Sequence, residues 1–291
     1  MRARDIVPLI KETLGAWSAD YVPSMGAALA YYTLFSIAPL LLIVIAVTGM
    51  VFGEQAARGE IFDELRALMG PEGAAAVEAL VQNANRPGGG LVATVTGVVL
   101  LFLGAMTVFG ELQNALDRIW RAPVRKESRG WLKILHARLA SFGMILAVAF
   151  LLMVSLVLSA LVAAIGKFWG PAFGGWEVIA HLIDIGLSFV LTTVLFALIY
   201  KIIPRVRIGW RDVWFGAGVT ALLFALGKFL IGLYIGKSSV ASAFGAAGSL
   251  VVMMVWVYYS AQIFLLGAEF TWVYAHAYGS RKGQPRPGAR P

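Results

Sequence analysis

The chain contains no cysteine and only three histidines among its 291 residues. The absence of cysteine excludes a disulfide framework, a thiolate metal site and a cysteine nucleophile. Charged residues are also scarce, at 14%, whereas soluble domains contain about 25%. These shortages leave little of the side-chain chemistry on which most soluble enzymes depend.

Apolar residues take the place of the missing charges. They make up 59% of the chain, and the mean hydropathy is +0.79. A membrane-spanning helix needs about 20 mainly apolar residues, and six stretches meet that length. The sequence therefore predicts an all-α, polytopic membrane protein whose single domain, residues 25–275, is a bundle of six transmembrane helices. The predicted spans are approximately 25–52, 89–110, 139–166, 178–203, 213–236 and 247–275.

Short amphipathic helices are predicted at both membrane faces. Residues 1–24 mix apolar and charged side chains and lack the core of a cleaved signal peptide, which suggests a helix in the membrane interface. A solvated helix packed on the bundle is the alternative. In the outer loop, 53–88, apolar residues recur at helical spacing on either side of Gly70-Pro71, which predicts two short helices.

The distribution of basic residues predicts the orientation of the chain. Eighteen Lys and Arg residues fall in the N-terminal arm, the inner loop 111–138, the segment 201–212 and the tail, against five on the opposite side. Positively charged short loops tend to stay in the cytoplasm. We therefore expect a multi-pass protein of the bacterial cytoplasmic (inner) membrane with both termini cytoplasmic. The tail, 276–291, is rich in proline and glycine and is predicted to be disordered.

Polar residues within the spans form stripes at helical spacing. One stripe lies on the fourth span and another on the sixth, and the first span adds polar residues together with a proline that predicts a kink. We interpret these residues as a polar core or substrate path; the alternative is that they bond neighbouring helices. They are Tyr31, Tyr32, Ser36, Pro39, His181, Asp184, Ser188, Thr192, Lys228, Tyr258, Gln262 and Glu269.

Three intramembrane charges need partners, because an ionised group in a bilayer is costly. At about 1.5 Å per residue, Asp184 and Lys228 lie at matching depths in the outer half, which predicts an ion pair or a shared water-filled pocket. Glu269 lies near the inner side, level with Tyr31 and Tyr32. A phenol-to-carboxylate contact is one expectation for Glu269, and snorkelling to the surface is the other.

Anionic lipid headgroups are the predicted partners of the basic inner rim, and no nucleic acid is expected. The residues assigned to headgroup contact are Arg121, Arg125, Lys126, Arg129, Lys133, Arg205, Arg207 and Arg211. A homo-oligomer is left open.

Several motifs resemble the YihY/BrkB family of bacterial inner-membrane proteins, over residues 5 to 275. They are AALAYYTLFSIAPL at 27–40, NALDRIW at 114–120, IPRVRIGWRD at 203–212, FGAAG at 244–248, VWVYYSAQ at 255–262 and LGAE at 266–269. The resemblance implies six spans and adds Tyr234 to the candidate path. Arg205 and Phe244 depart from the family pattern, which often has Asn and Tyr there, so roles of those side chains do not transfer.

The resemblance implies no secure activity: some members were once labelled ribonuclease BN, and others are linked to serum resistance or envelope lipid handling. A metal-dependent nuclease needs clustered ligands, but His136, His181 and His276 are predicted on different sides of the membrane. We therefore expect no enzyme, no metal and no cofactor. A transporter or flippase-like carrier of a lipid or other anionic amphipathic envelope substrate is the favoured function, and a non-transporting envelope scaffold is the alternative.

Overall fold

The computed structural model describes residues 5–84, 107–123, 150, 154, 176–237 and 248–284. These residues are almost all helical, and no strand occurs among them, which confirms the all-α prediction for the described part. The helices are α1 (Ile6–Ala19), α2 (Val22–Phe52), α3 (Glu54–Ala84), α4 (107–119), α5 (Trp176–Ile202), α6 (Trp210–Lys237) and α7 (Gly248–Ala277).

Three of these helices are long and apolar enough to cross a membrane. The qualifying stretches are Ile185–Ile202 in α5, Trp210–Tyr234 in α6 and Leu250–Ala277 in α7. Helix α2 is a fourth candidate if its two bent halves count as one span. Most of the predicted spans 89–110 and 139–166 lies outside the described residues, so the structure contains three or four of the six.

Two breaks predicted from the sequence occur where expected. Helix α2 bends by 44° between Val22–Ala38 and Leu40–Phe52, at Pro39, because proline removes one amide donor and crowds the preceding turn. Helix α3 is interrupted at Gly70, which has φ 79° and ψ 171°. That conformation suits glycine, which has no Cβ, and it separates the two short helices predicted for the outer loop.

Helix α7 is the central helix of the described bundle, in contact with α1, α2, α3 and α6. It runs antiparallel to α6 along a seam of reciprocal small contacts. A Cβ at Gly216 would lie 1.9 Å from Thr271 Oγ1, and one at Gly267 would lie 2.0 Å from Thr220 Oγ1. The two helices approach this closely only because both positions lack a side chain.

Gly26 on α2 and Gly232 on α6 have different surroundings. A Cβ at Gly26 would lie 2.1 Å from Gln262 Nε2, so α2 and α7 are in tight contact there. At Gly232 a Cβ would meet nothing within 4 Å. Small residues therefore allow close helix packing at Gly26, whereas Gly232 makes no such contact with the described residues.

Helix α1 lies against α7 and, less extensively, α2. Leu9 and Thr13 are buried in that contact, and the Thr13 hydroxyl bonds the Leu9 carbonyl at 2.8 Å. The outward side carries four exposed apolar side chains, namely Ile6, Val7, Ile10 and Leu14. The helix thus packs on the bundle, as one alternative held, and keeps the apolar surface that the interfacial alternative requires.

The start of the tail is ordered. Residues 278–284 form turns, and Ser280 donates from both its amide and its hydroxyl to the Asp212 carboxylate on α6, the hydroxyl at 2.5 Å. The expectation of disorder therefore does not hold for residues 279–284, because their polar groups are bonded to the bundle. Residues 285–291 lie outside the described part.

Candidate functional site

Glu269 is the least expected buried group of the bundle. It lies about two turns before the end of α7 at Ala277. Its exposed fraction is 0%, and no described hydrogen-bond donor reaches either carboxyl oxygen. Tyr31 and Tyr32 do not donate to it, so the predicted phenol contact is absent. Snorkelling is also wrong, because the carboxyl is enclosed by protein. An ionisable group held this way in a membrane helix calls for a functional explanation.

The charged groups that act on Glu269 come from two other elements. Asp20, in the turn between α1 and α2, contacts the Glu269 carboxyl, and Arg121, just after α4, acts on it electrostatically. Arg121 and Asp20 also form an ion pair whose side chains are 24% and 10% exposed. We call Asp20, Arg121 and Glu269 the carboxyl cluster. Two carboxyl groups in contact can hydrogen-bond only when one of them carries a proton.

The backbone on either side of the carboxyl cluster is unusual. Among the described residues, the two non-glycine residues with positive φ are Tyr21, at 56°, and Arg121, at 51°. Left-handed backbone costs a non-glycine residue roughly 1 kcal/mol and tends to persist where the surroundings enforce it. Both residues belong to the corner that brings Asp20 to α4, so the fold accepts this cost where the cluster forms.

Tryptophan rings cover the same end of the bundle. The Arg121 guanidinium lies over the Trp272 ring at 5.3 Å, and Arg281 lies over Trp120 at 5.2 Å. Both indole Nε1 atoms are buried without a described acceptor. The rings stabilise the two cations by cation–π interaction.

A second polar contact joins α4 to the connection between α5 and α6. Asp117 accepts the Arg205 amide at 2.7 Å, and the Arg205 Nε lies 3.4 Å from its carboxylate. Gln113 donates to the Ile203 carbonyl at 2.9 Å. Burial raises the pKa of Asp117 above its usual value, and the amide and charge of Arg205 oppose that shift. This contact holds α4 in the position from which Arg121 reaches Asp20.

An apolar groove of about 400 Å³ runs between α1 and the two helices α6 and α7. It is partly open at the surface, and Thr13 is its one polar lining residue, with its hydroxyl bonded to Leu9. The lining residues are Ile6, Leu9, Ile10, Thr13, Leu14, Phe215, Val219, Leu223, Leu266 and Phe270. We call this feature the lateral groove.

The predicted polar stripes are only partly described. The side chains of Pro39, His181 and Asp184 lie outside the described part, so the proposed pairing of Asp184 with Lys228 stays a prediction. Ser188, Thr192 and Lys228 are half-buried, and Tyr234 is 58% exposed. The grouping of these residues into one site therefore stays a prediction.

The predicted polar residues on α2 and α7 make local contacts. The Ser36 hydroxyl bonds the Tyr32 carbonyl at 2.8 Å, while Tyr31 is 54% exposed. Gln262 Nε2 lies 3.5 Å from the Val22 and Pro23 carbonyls, at the outer limit of hydrogen bonding. Tyr258 packs beside it near Gly26. These contacts hold α2 against α7 and resemble the structural alternative more closely than an open path.

The predicted headgroup residues differ in their exposure and in their partners. Arg121 is engaged by Asp20 and Trp272, whereas Arg205, Arg207 and Arg211 are exposed. Arg125, Lys126, Arg129 and Lys133 lie outside the described residues. Among the predicted headgroup residues that the structure describes, Arg207 and Arg211 are therefore exposed and take part in no described ion pair.

The sequence interpretation missed Asp20, Asp212 and the lateral groove. Asp20 counted only as one of several charges in the predicted amphipathic N-terminal helix, although its place immediately before the first span was a signal. Asp212, in the first turn of α6, is 1% exposed and binds Ser280. The groove leaves no linear signal, because it combines residues near the start of the chain with residues about 200 or more positions later.

A family model described as "Virulence factor BrkB" matches residues 13–290, and the chain belongs to this family. The match confirms the resemblance identified from the motifs. No solved structure matches the chain significantly.

Curated relatives are named as membrane proteins. A "UPF0761 membrane protein" of Tolumonas auensis is 29% identical over 264 residues, 87% of this chain and 80% of the relative. Another, of Alkalilimnicola ehrlichii, is 27% identical over 248 residues, 84% of this chain and 53% of the relative. A third, of Psychromonas ingrahamii, is 27% identical over 257 residues, which are 87% of this chain and 82% of the relative. The chain thus spans most of two relatives and about half of another.

Proposed function

We propose that this member of the BrkB family is a carrier of an anionic amphipathic lipid in the bacterial inner membrane. One acyl chain of the lipid occupies the lateral groove, and the headgroup meets the basic residues at the α1 end of the bundle. That end faces the cytoplasm.

The lateral groove is the observation that carries the proposal. Three of its lining residues, Phe215, Val219 and Leu223, lie on one face of a candidate membrane span and extend for roughly 12 Å along it. The opposite wall is α1, which contributes the partly exposed apolar side chains of Ile6, Ile10 and Leu14. Ligand sites for apolar molecules are partly enclosed, apolar clefts of this kind. A groove open sideways within a membrane meets acyl chains before any other ligand.

Basic residues at the Arg211 end of the lateral groove favour an anionic headgroup. Arg211 precedes Phe215 by one helical turn, so both lie on the same side of α6. Arg207 lies just before α6, and both arginines are exposed. An anionic phosphate close to them gains charge-assisted hydrogen bonds. A lipid whose chain lies along Phe215 to Leu223 therefore places its phosphate near Arg211.

Filling the lateral groove tests the proposal. Full-length protein is reconstituted in vesicles containing a fluorescent anionic phospholipid, and movement between leaflets is followed with an impermeant quencher. Leu223→Trp occupies the groove, while Leu222→Trp is a matched control because Leu222 is exposed and lies outside the lining. We expect the first variant to slow lipid movement several-fold and the second to match wild type.

Lipids that co-purify with the protein supply an independent measurement. Mass spectrometry should find anionic phospholipid bound to wild type and to Leu222→Trp, and less bound to Leu223→Trp. Wild-type vesicles that move lipid no faster than protein-free vesicles would refute the carrier function. Equal rates in the two tryptophan variants would refute the groove as its site.

A non-transporting scaffold is the second candidate, and the bonding of the polar residues favours it. The hydroxyls of Thr48, Thr220 and Thr271 each bond a carbonyl of their own helix, and Tyr200 bonds the Phe264 carbonyl at 2.6 Å. The Tyr200 contact joins α5 to α7, and the three threonine hydroxyls are satisfied within their own helices, as expected of structural residues. A scaffold would bind lipid without moving it, which the vesicle measurement separates from carriage.

The proposed orientation has a direct test because the chain has no cysteine of its own. Single cysteines are introduced at Gly283, in the ordered start of the tail, and at Gly59 on α3; both positions are exposed. In intact cells an impermeant maleimide should label Gly59→Cys and spare Gly283→Cys until the membrane is opened. The reverse pattern would place the α1 end outside.

A further inference from the structure

The carboxyl cluster contains two acidic groups and one basic group. If both acids were ionised, Asp20 and Glu269 would outweigh the single guanidinium of Arg121, and the excess would be buried. An uncompensated charge in such surroundings is strongly unfavourable. One proton between the two carboxyl groups removes the excess and supplies the donor that the Glu269 oxygens lack.

Three titratable groups on α5, α6 and α7 have partners of their own. The Tyr200 hydroxyl on α5 bonds the Phe264 carbonyl, and His276 Nδ1 on α7 bonds the Trp272 carbonyl at 2.8 Å. On α6, Asp212 is bound by Ser280. No group of three or more His, Cys, Asp or Glu residues able to hold a metal ion occurs in the described part. A proton therefore fits the carboxyl cluster better than a second protein cation or a metal.

We propose that Asp20 and Glu269 form a proton-binding site, in which Glu269 holds one proton and donates it to Asp20, and that release of this proton regulates the carrier. The regulatory half rests on the proposed function; the binding of the proton does not. Asp20 provides the route to water, because its side chain is 10% exposed whereas Glu269 is fully enclosed.

The position of Asp20 connects the proton to the lateral groove. Asp20 follows the last residue of α1, and α1 supplies one wall of the groove through Leu9 and Thr13. Loss of the proton places two negative carboxyl groups in contact between the end of α1 and α7. Their repulsion weakens the attachment of α1 to α7 and widens the groove.

Infrared spectroscopy tests the site without any transport. A protonated carboxylic acid has a carbonyl stretch that a carboxylate lacks, so full-length protein in lipid vesicles is titrated from mildly acidic to alkaline pH. Wild type should show a buried acid band that persists at neutral pH and disappears in Glu269→Gln. Asp20→Asn should shift the band, because the acceptor of the proton has changed. Glu78→Gln on α3 is the control for loss of one carboxyl group, since Glu78 binds Gln82 on the exposed surface.

The outcomes separate the two proposals. A missing band in wild type, or a band that survives in Glu269→Gln, overturns the proton site. In the same vesicles, the lipid movement of wild type should speed up as pH rises, and that of Glu269→Gln, which keeps a neutral donor at all pH values, should not. Equal pH dependence in both overturns the regulatory half. Absence of lipid movement in wild type refutes the carrier function while the band still decides the site.

Discussion

The carboxyl cluster and the lateral groove use the same short segment of α7 in opposite ways. Leu266 and Phe270 line a groove that is open at the surface, whereas Glu269, between them in sequence, is sealed against Asp20. The first environment is apolar and suits a lipid chain, and the second is charged and closed. A polar residue in a membrane helix therefore does not by itself mark a path, because its neighbours decide whether it faces water, lipid or another side chain.

The difference between the two regions predicts where substitutions will destabilise the fold. Removing one charge from a buried set leaves the others uncompensated, while an added side chain in an open groove extends into unfilled space. We therefore expect larger losses of stability in the carboxyl cluster than in the lateral groove.

Arg121→Met should have the largest effect. It leaves Asp20 and Glu269 without their cation, and we expect a loss of about 3 kcal/mol in the free energy of unfolding. Thermal unfolding in detergent measures it. Arg118→Ala is the control, since the Arg118 guanidinium lies over the exposed Tyr21 ring, 5.8 Å from its centroid, and is not part of the carboxyl cluster. Similar melting temperatures for the two variants would show that the carboxyl cluster needs no cation.

Gly216→Ala tests the seam that carries both regions. The new methyl group would meet Thr271, so we expect a loss of about 1 to 3 kcal/mol. Gly218→Ala, two residues along the same helix, meets nothing within 4 Å and should be neutral or stabilising by up to about 1 kcal/mol. If both variants behave alike in thermal unfolding, α6 and α7 are not in the contact described.

Asp117→Asn removes a partly exposed carboxyl group, in contrast to the fully buried carboxyl group of Glu269. The pKa of Asp117 is raised in the folded state. The folded wild type is therefore most stable below the usual carboxyl pKa and becomes less stable as pH rises. The variant does not titrate. Its melting temperature relative to wild type should therefore rise as the pH increases above about 4, the usual carboxyl pKa, by the equivalent of under about 1 kcal/mol.

The control for Asp117 is Asp63→Asn, which removes an exposed carboxylate paired with Arg66 at 2.5 Å on α3. A relative melting temperature for Asp117→Asn that falls with pH would mean that Arg205 outweighs burial at Asp117.

Leu223→Trp should have the smallest effect on stability, within about 0.5 kcal/mol, because it extends into open space in the lateral groove. The same thermal measurement checks it. A loss as large as that of Gly216→Ala would show that the groove is a closed core and not a lipid site.

Local patterns were sufficient for several features of the fold. Pro39 and Gly70 act on the backbone of their own helix, so the bend in α2 and the break in α3 follow from residue type. The apolar length of α5, α6 and α7 likewise predicts membrane spans without reference to neighbours. Glu269 was identified as anomalous from its own sequence context, but its partners were assigned to Tyr31 and Tyr32 from depth alone. Depth does not define which helix face meets which neighbour.

The sequence by itself determined the helical class, the breaks in the helices, the family and the presence of a charge that needs explanation. These depend on the apolar length, backbone chemistry and residue order of single segments. Only the tertiary structure decided that Asp20 and Arg121 meet Glu269 and that α1 forms a groove with α6 and α7. Those contacts join residues more than a hundred positions apart, and their energy comes from burial and charge compensation that exist only after the helices have packed.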